Sequence, residues 1–400
     1  MVRTASLFSQ LLAMFPRTEF ATLVRKHASD RGAKGFDSWT QFVAMLFCQM
    51  SGADSLREIC NGLACCTGKL SHLGISGPPN KSTLSYANAH RPHAMFEELF
   101  FTAMDRFRAL GPLGARKPRF RFKNKLYSLD STTISLCLSL FPWAGFRRTK
   151  GGVKAHVLLD HDDYLPSYVL LTEARRHDVT IARAMRIPPG SIVVMDRGYV
   201  DYDLFADWDR LGVQFVTRMK DNAVYEVFER FDVSERGNVL EDQLIRLAGL
   251  AGERACPDSL FRRVVVWDSV HECELVLITN ITSLAASTIA AIYKERWEIE
   301  LFFKCLKQNL KVKTFVGTSE NALRIQIWTA LIALLLIKWA HHLSRAAWSL
   351  SNLAHMLRLN LFTYRDFMAW LHNPFRTPPI VPEPDQLPLP LVTIGQPIVA

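Results

Sequence analysis

Apolar residues recur every three to four positions through the first quarter of the chain, as they do in amphipathic helices. This pattern predicts an α-helical region to about residue 110, with helices over 7–15, 20–24 and 39–50. Two shorter helices are predicted over 55–63 and 82–89, each opened by a serine that can cap it. The glycines and prolines between them allow a helix-turn-helix variant that reads DNA, with a plain helical bundle as the alternative.

From residue 126 the pattern changes to short runs rich in Val, Ile, Leu and Tyr, which are typical of strands. Strands are predicted over 126–136, 153–160, 167–172, 192–196 and 213–219, with helices over 179–185 and 202–211. The first three strands would be antiparallel and the later ones parallel, joined by helices.

Two aspartates stand in the first and fourth of these strands. Asp130 lies inside the first strand, and Asp196 ends the buried run Ile-Val-Val-Met. A carboxylate in a buried strand is costly unless it is paired or binds a metal ion. The spacing therefore favours a functional pair, with a helix N-cap as the alternative role for Asp196.

The most specific motif follows downstream. Tyr293, Arg296, Glu300 and Lys307 form the pattern Y-x2-R-x3-E-x6-K. At about 100° per residue, a single helix would carry all four side chains on one face within roughly 60°. An ordinary amphipathic helix with a solvated charged face is the alternative.

Asp130, Asp196 and this motif resemble the signature of DDE transposases of the insertion-sequence-4 family. The resemblance covers about residues 110–345, and residues 5–75 resemble the helical leader of such enzymes. It implies an α/β fold with a ribonuclease-H-like catalytic core and a mostly β insertion between the second Asp and the Glu, preceded by an α-helical N-terminal domain. Such a core brings the first and fourth strands side by side, so that Asp130 and Asp196 would converge. It also implies that Asp130, Asp196 and Glu300 are the catalytic residues and hold two Mg²⁺ ions, with Mn²⁺ as a substitute.

Pattern and resemblance together predict six segments. They are a helical DNA-binding domain over 1–110, the first part of the core over 111–220, a β-rich insertion over 221–289, the second part of the core over 290–345, a C-terminal helix over 346–373, and a disordered Pro-rich tail over 374–400.

Charge points to DNA as the partner. The net charge is +10, and an equal surplus arises before residue 128, where 18 Lys or Arg stand against 8 Asp or Glu. The densest basic stretch, 116–125, alternates with phenylalanines and predicts a strand with one basic face, with a solvated edge strand as the alternative. Candidate DNA contacts are Tyr293, Arg296, Lys307, Lys150, Lys154, Arg119 and Arg121. His156 is a weaker candidate, and Trp267 is expected to pack in the core rather than stack on a flipped base.

The remaining expectations concern setting and assembly. Eight cysteines without a CxxC pair indicate a reduced, cytoplasmic location, here associated with the nucleoid. The longest apolar run, 327–337, is shorter than the roughly 20 residues that span a bilayer, so a core helix and no membrane contact are expected. Pairing two ends of an insertion sequence calls for a homodimer. A ribonuclease-H-like nuclease without strand transfer and a non-catalytic DNA-binding protein remain alternatives.

Overall fold

The computed structural model describes residues 5–66, 68–110, 119–136, 139, 141–147, 150–234, 237–309 and 315–380. The side chains of 145–147, 150 and 309 lie outside that description. Within these ranges the chain forms a helical N-terminal part, one mixed sheet, and helices that pack on both. The expectation of an α/β fold preceded by helices is confirmed.

Helices of the N-terminal part follow the predicted apolar pattern. Ser55 caps the fourth helix as expected, because its hydroxyl accepts the Glu58 N–H. The fifth helix is capped by Asn80 and not by Ser82, whose own N–H is the donor. The helices are α1 (Leu7–Leu12), α2 (Arg17–Lys26), α3 (Ser38–Ser51), α4 (Leu56–Ala64), α5 (Lys81–His90) and α6 (Ala94–Leu110).

One ten-stranded sheet forms the centre of the molecule. Its strands are β1 (Leu126–Leu136), β2 (Gly145–Arg147), β3 (Lys150–Asp160), β4 (Leu165–Glu173), β5 (Ile192–Met195), β6 (Gln214–Arg218), β7 (Tyr225–Arg230), β8 (Val239–Leu247), β9 (Leu260–Asp268) and β10 (Cys273–Thr279). The order is β2-β3-β1-β5-β6-β10-β9-β8-β7, with β4 also paired to β3.

Strand pairing brings the two predicted aspartate strands together. β1 is antiparallel to β3 and parallel to β5, and β5 is parallel to β6. Leu129 lies opposite Met195 at the end of the β1–β5 ladder. The predicted adjacency of the first and fourth strands is confirmed.

The insertion between the second Asp and the Glu is mostly β, as expected, but it continues the main sheet. β10 pairs antiparallel with β6, so β7 to β10 extend the sheet beyond its parallel centre. Helices α7 (Asp178–Ala184) and α8 (Tyr202–Arg210) connect the central strands, and α9 (Gly249–Ala255) lies in the insertion.

A long buried helix joins the helical part to the sheet. α12 (Glu320–Leu343) follows α10 (Ala286–Glu295) and α11 (Trp297–Asn309), and its apolar side chains share one core with α1, α3, α6 and strands β1, β3 and β4. Its 24 residues are long and apolar enough to cross a membrane, which corrects the length argument above, but 89% of its most apolar stretch is buried inside the protein. The core-helix interpretation is therefore confirmed.

Other expectations about segments differ from the structure. Residues 119–125 form no strand: the Phe120 and Phe122 rings stack 4.9 Å apart against the core, and Arg119 binds Glu295. The C-terminal helix is two helices, α13 (Leu350–Asn360) and α14 (Phe367–His372), because Asp366 caps a new helix after a turn. Of the predicted tail, 381–400 lies outside the described residues, and 374–380 contains no helix or strand.

Candidate active site

Backbone hydrogen bonds fix both strand aspartates at the same edge of the parallel ladder. Asp130 Oδ1 accepts the N–H of Ser131 at 2.7 Å, and Asp196 Oδ1 accepts the N–H of Gly198 at 2.9 Å. Asp196 thereby caps a short 3-10 helix over Arg197–Tyr199, while Asp201 caps α8. The alternative role for Asp196, a cap for the helical segment 199–211, is therefore wrong, because Asp201 caps α8 and Asp196 caps only the short 3-10 helix.

The downstream motif does not lie on one uninterrupted helix. Arg296 separates α10 from α11, and the Arg296 N–H bonds to the carbonyl of Tyr293, three residues back. Three of the four side chains still lie together across this junction. Arg296 donates to Glu300 Oε1 at 2.6 Å, and its guanidinium carbon lies 5.8 Å from the Tyr293 ring centre.

The charges of Asp196 and Glu300 both act on the Asp130 carboxyl group. Burial raises the pKa of Asp130 to about 7 against the opposing Ser131 hydrogen bond, and the nearby Asp196 and Glu300 carboxylates add to the rise, whereas Arg296 lowers it. Three neighbouring charges, those of Asp196, Glu300 and Arg296, therefore act on Asp130. A carboxyl group whose charge is disfavoured in this way gains most from a nearby cation.

The donor chemistry of the site suits a hard divalent cation, since carboxylate oxygens are the ligands that Mg²⁺ prefers. The side chains as they stand are not closed around such an ion. Among the described residues, no three His, Cys, Asp or Glu side chains form a group that could hold a metal ion. Glu300 is engaged by Arg296, so it would have to turn from that partner to bind a metal.

The predicted DNA contacts are placed unequally. Arg121 is exposed beside β1, and Lys307 is partly buried near the end of α11. Arg119 pairs with the buried Glu295. Lys154 binds Asp178 at 3.2 Å. Lys150 begins β3, with its side chain outside the described part.

One basic residue near the site was missed from the sequence. Arg218 ends β6, the strand next to the Asp196 strand, and its charge acts on the pKa of Tyr293. Burial raises that pKa, against the effect of Arg296 and Arg218. The signal was present, because the strand over 213–219 was predicted and parallel neighbours end at the same edge.

The predictions for Trp267 and His156 have different outcomes. Trp267 was expected in the core but is 43% exposed at the end of β9, so that expectation is wrong, and stacking on a base stays a prediction. His156 was a weak candidate for a phosphate contact, but it is fully buried and lies 2.9 Å from Thr172 Oγ1.

Carboxylates that follow the ladder between two parallel strands, with arginines nearby, suit the divalent cations that catalyse phosphoryl transfer. Residues 121–336, more than half of the chain, match the family described as "Transposase DDE domain". The chain belongs to the DDE transposases, and its function is that of a transposase. Residues 3–76 match a "Domain of unknown function (DUF4372)".

Similar proteins carry transposase names. "Putative transposase y4zB" of Sinorhizobium fredii is 34% identical over 308 residues, which are 76% of this chain and 82% of that protein. "Probable transposase for insertion sequence element IS5377" of Geobacillus stearothermophilus is 31% identical over 55% of this chain and 58% of its own length. Among solved structures, a piggyBac transposase synaptic complex with hairpin DNA aligns with 90% of this chain and 80% of its own at 10% identity and a TM-score of 0.44.

Proposed function

We propose that this transposase cleaves phosphodiester bonds at the ends of its insertion sequence and joins the freed 3′-OH to target DNA, in cut-and-paste transposition. The observation that carries the proposal is the placement of Asp130 and Asp196 in the sheet, with Glu300 near enough for its charge to act on Asp130. The two aspartates follow the last paired residues of adjacent parallel strands, and the charge of Glu300 acts on Asp130. One carboxylate site would serve both hydrolysis and strand transfer.

The strand order supports a ribonuclease-H-like core within this proposal. Three antiparallel strands, β1, β3 and β4, are followed by β5 and β6, which run parallel to β1. The insertion then extends the sheet before the chain returns through α10 and α11 with the third acid.

Asp130, Asp196 and Glu300 would hold two Mg²⁺ ions, with Mn²⁺ able to replace them. When bound, such ions lower the pKa of an attacking water and neutralise charge on the leaving 3′ oxygen. Asp130 would supply a ligand beside both other acids, because the charges of both act on its pKa. Arg296 would release Glu300 and bind a DNA phosphate in its place.

Around the carboxylates, Tyr293, Arg218 and Lys307 would bind phosphates near the cleaved end. Arg121 would contact the flanking duplex from the exposed segment before β1. Arg119 and Lys154 are weaker candidates than the sequence indicated, since both bind carboxylates of the protein itself. The partners in this proposal are the inverted repeats of the element and target DNA, bound by a homodimer in the cytoplasm at the nucleoid.

The proposal is tested with purified protein, Mg²⁺ and a plasmid that carries the gene's own flanking DNA. We expect excision and joining by the wild type, no product without divalent metal, and loss of both products in Asp130→Asn. Glu298→Gln is the matched control, because Glu298 is a partly buried acid on the same helix as Glu300. Cutting without joining would indicate a nuclease, and binding without cutting would indicate a DNA-binding protein.

A further inference from the structure

A buried polar cluster lies on the face of the sheet opposite to Asp130. Side chains alternate along a strand, so Asp130 and Ser131 point to opposite faces of β1. The Asp130 face carries the core shared with α11. The Ser131 face carries α7 and Tyr199, and Ser131 lies opposite His156 in the ladder with β3.

Asp178 is the centre of this cluster. Its Oδ1 lies 3.3 Å from Nδ1 of the fully buried His156, and its Oδ2 lies 3.2 Å from Lys154 Nζ. Lys154 also donates to the carbonyl of Arg176 at 3.1 Å. Burial alone would raise the pKa of Asp178, but His156, Ser131 and Lys154 outweigh it and lower the pKa to about 2. The carboxylate therefore stays ionised at the pH of the cell.

Ser131 connects the cluster to the candidate active site. It lies opposite His156, the neighbour of Asp178, in the β1–β3 ladder, while its backbone N–H donates to Asp130 Oδ1 at 2.7 Å. Tyr199 lies behind the second aspartate in the same way. It follows Asp196 by three residues, is only 2% exposed, and has a pKa raised by burial and by the charges of Asp178 and Asp130.

We propose that Asp178 is a positioning residue of the active site: together with His156 and Lys154 it fixes Ser131 from behind the sheet, so that the Ser131 N–H keeps the Asp130 carboxylate oriented toward Asp196. This inference rests on the function proposed above. It adds a residue that touches neither DNA nor metal but acts through Ser131.

A purely structural role is the competing explanation, because the same contacts attach α7 to β3. Asp163 offers a matched comparison. Its side chain is 9% exposed and binds Arg108 through both oxygens, at 2.5 and 3.2 Å, at the turn between β3 and β4 and away from the site. Asp163→Asn therefore removes a similarly paired carboxylate without touching Ser131.

The test compares wild type, Asp178→Asn, Ser131→Ala, their double variant and Asp163→Asn. Single-turnover cleavage of an end duplex gives the maximal rate and the half-saturating DNA concentration, and loss of the free Mn²⁺ signal in electron paramagnetic resonance gives metal affinity. We expect Asp178→Asn to lower the maximal rate and weaken Mn²⁺ binding by about 10-fold or more, with DNA half-saturation within about 2-fold of wild type. Ser131→Ala should act in the same direction, and the double variant should be no worse than the worse single variant, because the two residues act in series.

Asp163→Asn is the control that measures the size of a purely structural effect. Asp163→Asn should lose thermal stability yet keep its rate and Mn²⁺ affinity, and its effect should add to that of Ser131→Ala. The inference is overturned if Asp178→Asn keeps wild-type rate and metal affinity, if it loses no more than Asp163→Asn, or if its effect adds fully to that of Ser131→Ala. A wild type that neither cuts DNA nor binds Mn²⁺ would instead overturn the proposed function, and this inference with it.

Discussion

At the scale of single residues, Asp130 lowers the stability of the fold but suits the binding of cations. Its carboxyl group is buried beside Asp196 and Glu300, so its ionised form is disfavoured and its pKa rises to about 7. An ordinary folded protein gains nothing from such an arrangement. A site that must attract divalent cations does, because the ion removes the repulsion on binding.

This conflict predicts a pH-dependent gain in stability from Asp130→Asn. The pKa of Asp130 in the folded state is above the unfolded value of about 3.9. At pH values between the two, the folded state binds more protons than the unfolded state, so the stability of the wild type falls as pH rises. Asn carries no charge and avoids that loss. In the absence of metal, the difference in free energy of unfolding, variant minus wild type, should increase by about 1–3 kcal/mol between pH 5 and pH 8.5. Urea unfolding at both pH values measures it.

Asp163→Asn provides the comparison for that experiment. It removes the partner of Arg108 and should destabilise the protein at both pH values. An Asp130→Asn variant with the same deficit at pH 5 and pH 8.5 would contradict the assignment of a raised pKa to Asp130.

At the scale of elements, the sequence pattern located most strands and helices but not their interruptions. The predicted limits of β1 agree with the structure because alternation and turn residues define both ends. The break at Arg296 was missed, since that residue keeps a helical backbone and the apolar period continues through it. The segment 119–125 was misjudged because its partners, the buried Glu295 and the core under α10, are distant in sequence.

The pair α4 and α5 is the element for which a DNA-binding prediction is sharpest. Arg57 of α4 and Lys81 of α5 line the same groove, and the outer face of α5 is polar apart from Tyr86, which is 67% exposed and stacks on His90. Arg57→Ala with Lys81→Ala should weaken binding of an end duplex several-fold. It should also reduce the slope of log affinity against log salt by about two, one for each lost phosphate contact.

Fluorescence anisotropy would measure this effect between about 50 and 200 mM salt, a range over which phosphate contacts make affinity depend strongly on salt. Lys26→Ala is the control, because Lys26 is an exposed lysine on α2 that pairs with Glu98. An unchanged salt slope in the Arg57 and Lys81 double variant would place the duplex elsewhere.

At the scale of the whole molecule, the helical part and the sheet share a core. α12 packs against α3, α5 and α6. Asn321 at its start donates to the carbonyl of Asn88 in the last turn of α5 and to that of Arg91 just after α5. The proposed DNA-reading helices are thus attached to the helix that follows the third acid. Sequence periodicity could not predict this, because it identifies an apolar face without identifying what covers the face. The domain boundaries stay predictions.

The central claim is that one carboxylate site both cuts the element end and joins it. The most direct measurement compares two substrates, an intact end duplex and a precut end with a free 3′-OH, for Asp130→Asn, Asp196→Asn and Glu300→Gln. The account predicts that each variant loses cleavage of the first and joining of the second by about 100-fold or more, with Glu298→Gln active on both. Continued joining of precut ends by any of the three variants would contradict a single site.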